Sequence, residues 1–424
     1  MRAIVAGLIA IAACGPPEGS RHGLKDDQPI DSGPVDTDDV DGDGFQDDDC
    51  DDNDATVFPG ALEVLGDGID HDCDSDPNAT ALAWATGLTG ARGPTVGAST
   101  EHYVLTTAAD TYFPDYTDVG ISLIFDFRAT GQQAPREDVI WTGASTEEPL
   151  GPQVDMVTFG ENFFAVGNYY RPSNAAWYTT TVKTNYDWSV EAFKRTIASD
   201  YHGPGGPFSD TSARAAGTEL QVASCAPDTV QVIGITANDV PFKSHTDVHA
   251  DILGEGGEHC GLQMATPGRS VLHMGGANGI KSWDVDFGNE TISLAPDQPF
   301  ASLSANNIRI SKQWIVIAST TGVTLSDESG GADYLVFGGQ DIADADLSWF
   351  EGNAVLAAVI GETLHLAWGP DPASFTEATL SGVTGISGVS IYRDADRVFV
   401  AVLAGPDDIG WMFLAPPLLG SAPT

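Results

Sequence analysis

The feature that most constrains the fold is a short unit of two apolar strands joined by a glycine turn, which recurs along residues 81–416. The clearest copies are 313–325, 353–369 and 396–415, and weaker copies are 101–107, 162–168, 219–235 and 269–285. Runs of apolar and β-branched residues bounded by Gly, Asp, Pro and Ser predict β-strands, and hardly any helical periodicity interrupts them. The region is therefore expected to be all-β.

One apolar residue in each copy marks the repeat: Tyr103, Phe164, Leu220, Leu272, Ile315, Leu356 and Phe399. These markers lie about 40 to 60 residues apart, the length of a propeller blade, which is a four-stranded sheet that cannot bury both faces alone. Seven markers predict a seven-bladed β-propeller, with six or eight blades as the nearest variants. A pair of β-sandwiches is the alternative, and it would space the strands less evenly than the last three markers are spaced. Because the copies share hydrophobic pattern more than residues, the resemblance to propellers concerns the fold alone.

Ahead of this region, residues 39–76 form an acidic segment with the pattern of a cation-binding loop. Asp39, Asp41 and Asp43 alternate and Gly44 follows, as at the first, third, fifth and sixth positions of an EF-hand loop. The carbonyl of Phe45 and the carboxylate of Asp47 then take the seventh and ninth positions. The closing position holds Cys50 instead of Glu, so the closing ligand is expected from Asp51. No apolar helix precedes the loop, which predicts a calcium loop without EF-hand helices.

The second half of the segment repeats the device, with aspartates on both sides of Cys73. A disulfide between Cys50 and Cys73 would press the two acidic runs together, and so many carboxylates would repel one another without a cation between them. The alternative is a disordered acidic linker, which needs neither the fixed spacing nor the paired cysteines. The predicted Ca²⁺ ligands are Asp39, Asp41, Asp43, Phe45, Asp47, Asp49, Asp51, Asp52, Asp54, Asp67, Asp70, Asp72 and Asp74.

These residues resemble a metal-binding motif of many bacterial secreted proteins, written loosely as DxDGDGF…DCDDxD…PGAxE…DGIDxDCD. The matching stretches are 39–45, 49–54, 59–63 and 67–74. The segment also resembles a thrombospondin type-3 calcium repeat. The family is sometimes linked to copper, but carboxylates suit Ca²⁺ whereas Cu(II) prefers imidazole, and the only histidine in the motif is His71. The resemblance implies an accessory module on a surface protein and does not identify the activity of the remainder.

The N-terminus has the pattern of an export signal sequence. Met1 and Arg2 precede a short apolar run that ends before Cys14 and is too short to span a membrane. It resembles a bacterial lipoprotein signal (residues 1–14) in which Cys14 is lipidated; an ordinary secretory signal is the alternative. Since Gly15 and not Asp follows the cysteine, an outer-membrane lipoprotein is expected, at the periplasmic or the cell surface. Residues 15–38 are rich in Gly, Pro, Ser and Asp and predict a flexible tether.

The charge of the chain limits its partners. The formal net charge is -43, and residues 26–76 contain no Lys or Arg. Nucleic acid and anionic lipid surfaces are therefore not expected as partners, because no basic patch offers phosphate contacts. Cations, cationic surfaces and neutral glycans remain, and a salty habitat would explain the same composition.

The remaining cysteines, Cys225 and Cys260, are expected to form a second, structural disulfide in an exported chain; two buried thiols are the alternative. A histidine-rich stretch lies between and after them, with His245, Asp247, His249, His259 and His273 as candidate ligands of Zn²⁺ or Cu²⁺. Their spacing matches no zinc motif. Ordinary turn or core histidines are the favoured interpretation.

No sequence motif identifies a catalytic centre. The nucleophile elbow, the zinc-protease motif, the P-loop and a dinucleotide fingerprint are absent, and the closest approach to the Asp-box of sialidase-like propellers, residues 326–330, lacks its aromatic end. No catalytic or cofactor-binding residue is assigned, and the chain is expected not to be an enzyme.

The function predicted from the sequence is that of a surface-anchored lipoprotein whose propeller binds or adheres to a protein or a glycan. A glycan-active or other hydrolytic propeller enzyme is the alternative, and a periplasmic metal buffer a third. Carboxylates gathered at one end of the central channel would favour the enzyme. A channel of small and apolar side chains would favour the binding platform.

Overall fold

The structure, a computed structural model, describes residues 40–41, 49–54, 57–59, 64–65, 68–71, 73, 82–85, 88–98, 102–112, 121–128, 136–142, 150–159, 162–171, 176–187, 192–203, 210–216, 219–226, 229–236, 241–248, 258–266, 268–311, 314–327, 333–395, 397–405 and 407–415. The predicted signal, Cys14 and the tether lie outside these residues. Within them the secondary structure is β-strand apart from one 3₁₀ turn, η1 (Pro372–Ser374). No helix in this part of the chain has the length and apolar character to cross a membrane.

The N-terminal strands are β1 (Val64–Leu65), β2 (Ala83–Ala85) and β3 (Leu88–Thr89). The first sheet contains β4 (Thr95–Ala98), β5 (His102–Ala109), β7 (Ile121–Arg128) and β8 (Arg136–Thr142), while β6 (Thr111–Tyr112) pairs with β3. The second sheet contains β9 (Leu150–Phe159), β10 (Asn162–Arg171), β11 (Ala176–Asp187) and β12 (Ala192–Gly203). The third sheet contains β13 (Asp210–Ala216), β14 (Glu219–Ala226), β15 (Thr229–Thr236) and β16 (Pro241–Val248).

The fourth sheet contains β17 (His259–Thr266), β18 (Arg269–Gly276), β19 (Gly279–Asp286) and β20 (Thr291–Leu294). The fifth sheet contains β21 (Asn307–Ser311), β22 (Trp314–Ser319), β23 (Gly322–Asp327) and β24 (Asp333–Val336). The sixth sheet contains β25 (Ile342–Phe350), β26 (Asn353–Ile360), β27 (Thr363–Gly369) and β28 (Thr376–Thr384). The seventh sheet contains β29 (Ile386–Arg393), β30 (Val398–Ala404) and β31 (Asp408–Leu414), joined by β1 and β2.

Each of the first six sheets is an antiparallel meander whose first strand lies on the inside. The inner strands β4, β9, β13, β17, β21, β25 and β29 each contact the next, and β29 contacts β4, so the described sheets form a closed ring. The predicted all-β, propeller-like class is confirmed. All seven apolar marker residues lie on the second strand of their sheets, because that strand is covered on both faces by neighbouring sheets.

Short hairpin turns join the strands within a sheet. Between β25 and β26 the turn residues Glu351 and Gly352 have φ of 44° and 80°, and between β26 and β27 Gly361 and Glu362 have φ of 56° and 64°. Two successive positive φ values define the turn whose twist matches that of antiparallel strands, and glycine adopts this conformation without a Cβ clash.

The seventh sheet is completed from the N-terminal side of the chain. β2 pairs antiparallel with β31, with Ala83 opposite Trp411, and β1 pairs parallel with β31, with Val64 opposite Phe413. Since β30 occupies the other edge of β31, β1 and β2 lie one after the other along its outer edge. The ring is therefore closed by hydrogen bonds between segments more than three hundred residues apart.

An aromatic cluster lies at this closure. Tyr103 of the first sheet meets the ring of Phe413 edge-on at 5.3 Å, and Phe413 stacks on Phe399 at 4.8 Å. Val64 of β1 belongs to the same core and is only 3% exposed. Aromatic contacts of this kind hold the first and last sheets together.

Candidate functional sites: the central channel and the acidic module

The inner strands carry polar side chains that reach across to the next sheet. On β25, Asp344, Asp346 and Ser348 alternate, so all three point to the same side of the strand. They accept hydrogen bonds from backbone N–H groups of β29, at Val389 (2.9 Å), Ile391 (3.0 Å) and Arg393 (2.8 Å). Inner strands of different sheets share no regular ladder, and these side chains satisfy the N–H groups that a ladder would otherwise pair.

The same device recurs around the ring. The bonds run from Cys260 N to Asp210 (2.9 Å), from Leu262 N to Ser212 (3.0 Å), from Ala213 N to Asp155 (2.7 Å) and from Val96 N to Ser390 (3.2 Å). The second oxygen of each carboxylate accepts the N–H of the following residue: Met156 for Asp155 and Thr211 for Asp210, with Ala345 and Leu347 in the same relation to Asp344 and Asp346. The inner carboxylates thus serve as bridges between sheets.

An ion pair with little solvent exposure links the fifth sheet to Asp344 of the sixth, the residue that also bridges to the seventh sheet. Arg309 Nη2 donates to Asp344 Oδ2 at 3.1 Å, and the side-chain amide of Asn307 donates to Asp344 Oδ1. The side chain of Arg309 is 18% exposed and that of Asp344 is 6% exposed. Burial lowers the pKa of Arg309, but Asp344 and Asp346 outweigh it and raise the pKa above its ordinary value. Arg309 therefore stays charged, and it neutralises part of the carboxylate charge inside the ring.

The ring encloses a cavity of 260 Å³ whose lining comes from all seven inner strands. Its acidic and basic residues are Asp155, Asp210, Arg214, Arg309 and Asp346, and the rest of the lining is hydroxyl-bearing, small or apolar apart from Asn307. Burial raises the pKa of Asp155 to about 6 and that of Asp210 to about 8, against the lowering effect of their N–H donors. The channel therefore contains both the carboxyl groups expected of an enzyme and the small and apolar side chains expected of a binding platform. Asp155, Asp210 and Asp346 accept hydrogen bonds from backbone N–H groups.

The acidic module is held together by a disulfide and by backbone bonds. Cys50 and Cys73 are bridged, with their Cα atoms 5.9 Å apart, as predicted. Phe58 N–H donates to the carbonyl of His71 at 2.9 Å, and both residues are buried. Asp49 Oδ1 accepts the N–H of Asp51 at 3.0 Å, which folds the first run into a tight turn. The chain around Cys50 is thus held next to Asp70, His71 and Cys73.

Six of the predicted ligands lie among the described residues: Asp41, Asp49, Asp51, Asp52, Asp54 and Asp70. The other seven, Asp39, Asp43, Phe45, Asp47, Asp67, Asp72 and Asp74, lie outside them. Asp51, the expected closing ligand, is exposed and accepts the N–H of Asn53 through Oδ1 at 3.3 Å. Its role as a ligand stays a prediction.

The donor chemistry of the module fits a hard cation. Asp49 Oδ2 is buried and, among the described residues, has no hydrogen-bond partner, which is an arrangement that a bound cation satisfies. A carboxylate oxygen of Asp49 lies within 4.8 Å of the sulfurs of Cys50 and Cys73. Those sulfurs are joined to each other and are not thiolates, so the soft ligands that favour copper are lost to the disulfide.

The second predicted disulfide is also confirmed. Cys225 of β14 and Cys260 of β17 are bridged, and both are buried. The bond links the third sheet to the inner strand of the fourth. Its role is structural, since neither sulfur is accessible.

The histidines named as alternative metal ligands do not assemble among the described residues. His273 lies in the core of the fourth sheet, with Nδ1 2.9 Å from Ser282 Oγ and Nε2 3.1 Å from Gln263 Oε1. His259 Nδ1 lies 3.8 Å from Asp210 Oδ2. The positions of the side chains of His245 and Asp247, and His249 as a whole, lie outside the described residues. For His273 the interpretation as an ordinary core histidine is confirmed.

A family model described as "Putative metal-binding motif", whose name refers to copper binding, matches residues 49–77. A search of curated proteins finds no match to this chain. Solved structures similar to the chain include the Trypanosoma rangeli sialidase in complex with 2,3-difluorosialic acid, at 8% identity and a TM-score of 0.44, covering 77% of this chain and 54% of that one. The same sialidase in complex with sialic acid matches at 9% identity and a TM-score of 0.42, again over 77% and 54%.

A mutant of the Trypanosoma rangeli sialidase that displays trans-sialidase activity matches at 8% identity and a TM-score of 0.43, over 79% of this chain and 57% of that one. The chain therefore spans about half the length of these sialidases. At this identity and TM-score the likeness carries no information on activity.

The sequence analysis missed the acceptors that bridge the sheets. Their signal is an Asp or Ser at alternate positions on the first strand of a repeat, as in Asp210-Thr-Ser212 and Asp344-Ala-Asp346-Leu-Ser348. Such alternation marks one face of a strand. It gives no indication of the partner strand, which lies 45 to 58 residues further along the chain.

Proposed function

We propose that the chain is an exported lipoprotein, anchored through Cys14, in which a calcium-binding module is joined to a propeller that binds a protein or a glycan. The observation that supports a binding platform over a hydrolase is the hydrogen bonding of the channel carboxyl groups to the backbone. Both oxygens of Asp155, Asp210 and Asp346 accept backbone N–H bonds. Hydrolysis of a glycosidic bond by two carboxylates needs one as acid and the other as base or nucleophile. A carboxyl group would have to give up its backbone N–H bonds to reach a substrate, and these bonds join neighbouring sheets.

Calcium is the proposed ion because the donors are carboxylates and a backbone carbonyl, the ligands that Ca²⁺ prefers. Of the described residues, Asp49 is the ligand supported most directly, through its buried and unpartnered Oδ2. An export route places the module where Ca²⁺ is abundant and disulfides are stable. The ion would supply charge neutralisation and no chemistry of its own.

A second candidate is a glycan-active or other hydrolytic enzyme, favoured by the raised pKa of Asp155 and Asp210 in the cavity. Perturbed carboxyl groups in a cleft are typical of acid–base catalysts. The assay presents the purified protein to an array of immobilised glycans and, separately, to aryl glycosides. The binding platform predicts retention on specific glycans, or on a protein partner, without product release.

Product release that is lost in Asp210→Asn and kept in the exposed control Asp297→Asn would replace the binding proposal by the enzyme. The anchor is tested on its own by Cys14→Ala. We expect the wild-type protein to partition into the detergent phase and the variant into the aqueous phase. Equal partitioning of the two would contradict lipidation at Cys14.

A further inference from the structure

The acidic module is covalently tied to the strand that closes the ring. The Cys50–Cys73 disulfide forms a closed loop with a sequence separation of 23, and β1 (Val64–Leu65) lies inside that loop. β1 adds to the outer edge of β31 beside β2. The segment that carries the carboxylates therefore also supplies a strand of the seventh sheet.

The attachment of β1 depends on few contacts. Two residues pair with β31, Val64 with Phe413 and Leu65 with Leu414. Val64 is buried against the aromatic core that joins the first and last sheets. A strand of two residues has little pairing energy of its own, so its position depends on the rest of the loop.

Carboxylates lie on both sides of β1 within the loop. Asp51, Asp52 and Asp54 precede it and Asp70 follows it, while Asp49 adjoins the disulfide. The bond from Phe58 N–H to the carbonyl of His71 draws the two flanks together. Because the disulfide confines these carboxylates to one loop, their mutual repulsion favours an open loop, and a divalent cation removes that bias.

We propose that cation binding to the acidic module acts as a latch on ring closure: it holds β1 on β31 and so stabilises the junction of the first and last sheets. The proposal rests on the cation site of the proposed function. A cation that binds only the closed loop lowers the equilibrium constant for loop opening by the factor 1 + [Ca²⁺]/Kd. The latch would close outside the cell, where Ca²⁺ is available.

The test is amide hydrogen exchange on the purified protein in EDTA and in Ca²⁺, with the dissociation constant measured separately by calorimetry. At Ca²⁺ about 100 times above that constant, exchange through loop opening should slow by about 100-fold. We expect this slowing in the part of β31 that β1 covers, around Phe413 and Leu414, and no change in β22 (Trp314–Ser319), which lies in the fifth sheet. Two variants and one control complete the design.

Val64→Ser removes the apolar anchor of β1, and we expect it to keep the affinity for Ca²⁺ while losing the effect of Ca²⁺ on β31. Asp49→Asn should weaken binding and the effect on β31 together, whereas the exposed control Asp297→Asn should change neither. Ca²⁺ binding without slower exchange in β31, or with equal slowing in β22, would overturn the latch and leave the cation site standing. Absence of Ca²⁺ binding would overturn the latch together with the calcium proposal.

Discussion

The bridge between the inner strands is tested most sharply at Asp344. This carboxylate accepts the N–H groups of Ala345 and Val389, the amide of Asn307 and two N–H groups of Arg309. Asp344→Ala removes the acceptor of all these hydrogen bonds at once. It leaves the buried guanidinium of Arg309 without its nearest counter-ion and the buried N–H of Val389 without an acceptor.

The magnitude follows from those two losses. Breaking a buried ion pair by removing one partner costs about 3–5 kcal/mol, and an unsatisfied buried N–H costs about 1–3 kcal/mol. Asp346 also acts on Arg309 and retains part of the compensation. We therefore expect Asp344→Ala to lower the free energy of unfolding by about 3–5 kcal/mol in total, since the two losses share one site and do not add fully.

The assay is urea unfolding at constant pH, because urea carries no charge to screen the ion pair. Asp341→Ala serves as the control: Asp341 is exposed and contacts Asn306 at 3.2 Å, and its loss should stay within about 0.5 kcal/mol. The double variant Asp344→Ala, Arg309→Met should recover part of the loss, because it removes the guanidinium that the single variant leaves without its nearest counter-ion. The recovery is partial because Arg309 also offsets the charge of Asp346. A loss below about 1 kcal/mol in the single variant, or no recovery in the double variant, would refute the reasoning.

Three further predictions concern buried groups. The pKa of Asp210 is raised from 3.8 to about 8, so between these pH values the folded state holds a proton that the unfolded state has lost. The free energy of unfolding therefore falls as the pH rises through this range. The urea midpoint should fall less steeply with pH in Asp210→Asn than in the wild type. Burial lowers the pKa of His273 from 6.5 to about 4, so the unfolded state takes up a proton at a higher pH than the folded state does. The free energy of unfolding therefore falls as the pH falls from 6.5 to about 4. His273→Gln should remove this contribution to the pH dependence of the urea midpoint. Replacing Cys225 and Cys260 by Ala should lower the free energy of unfolding by about 2–4 kcal/mol, and unchanged urea midpoints would contradict a role for the bridge between sheets.

The sequence predicted the parts of the fold that depend on local pattern. The apolar runs around Ile315, Leu356 and Phe399 are buried second strands, as expected, because a strand covered on both faces must be apolar along its whole length. The glycine turns could also be predicted from local pattern, because a positive φ depends on one or two residues. The two disulfides followed from the number of cysteines in a chain that the sequence predicts to be exported.

The closure of the ring could not be predicted from local pattern. β1 has only two residues, Val64 and Leu65, within an acidic loop, and its partner Phe413 lies at the other end of the chain. The bridging role of Asp155 and Asp210 was equally hidden, because the donors at Ala213 and Cys260 lie on the next sheet. Non-local hydrogen bonds leave no periodic signal in the sequence.

The central claim is that the carboxylates of the acidic module hold a hard divalent cation. Isothermal titration of the purified protein with Ca²⁺ and, separately, with Cu²⁺ tests it most directly, with Asp49→Asn as the variant and Asp297→Asn as the control. The account predicts that Ca²⁺ binds, that Asp49→Asn weakens the binding, and that Cu²⁺ does not displace Ca²⁺. Binding of Cu²⁺ alone, or Ca²⁺ binding that is unchanged in Asp49→Asn, would contradict it.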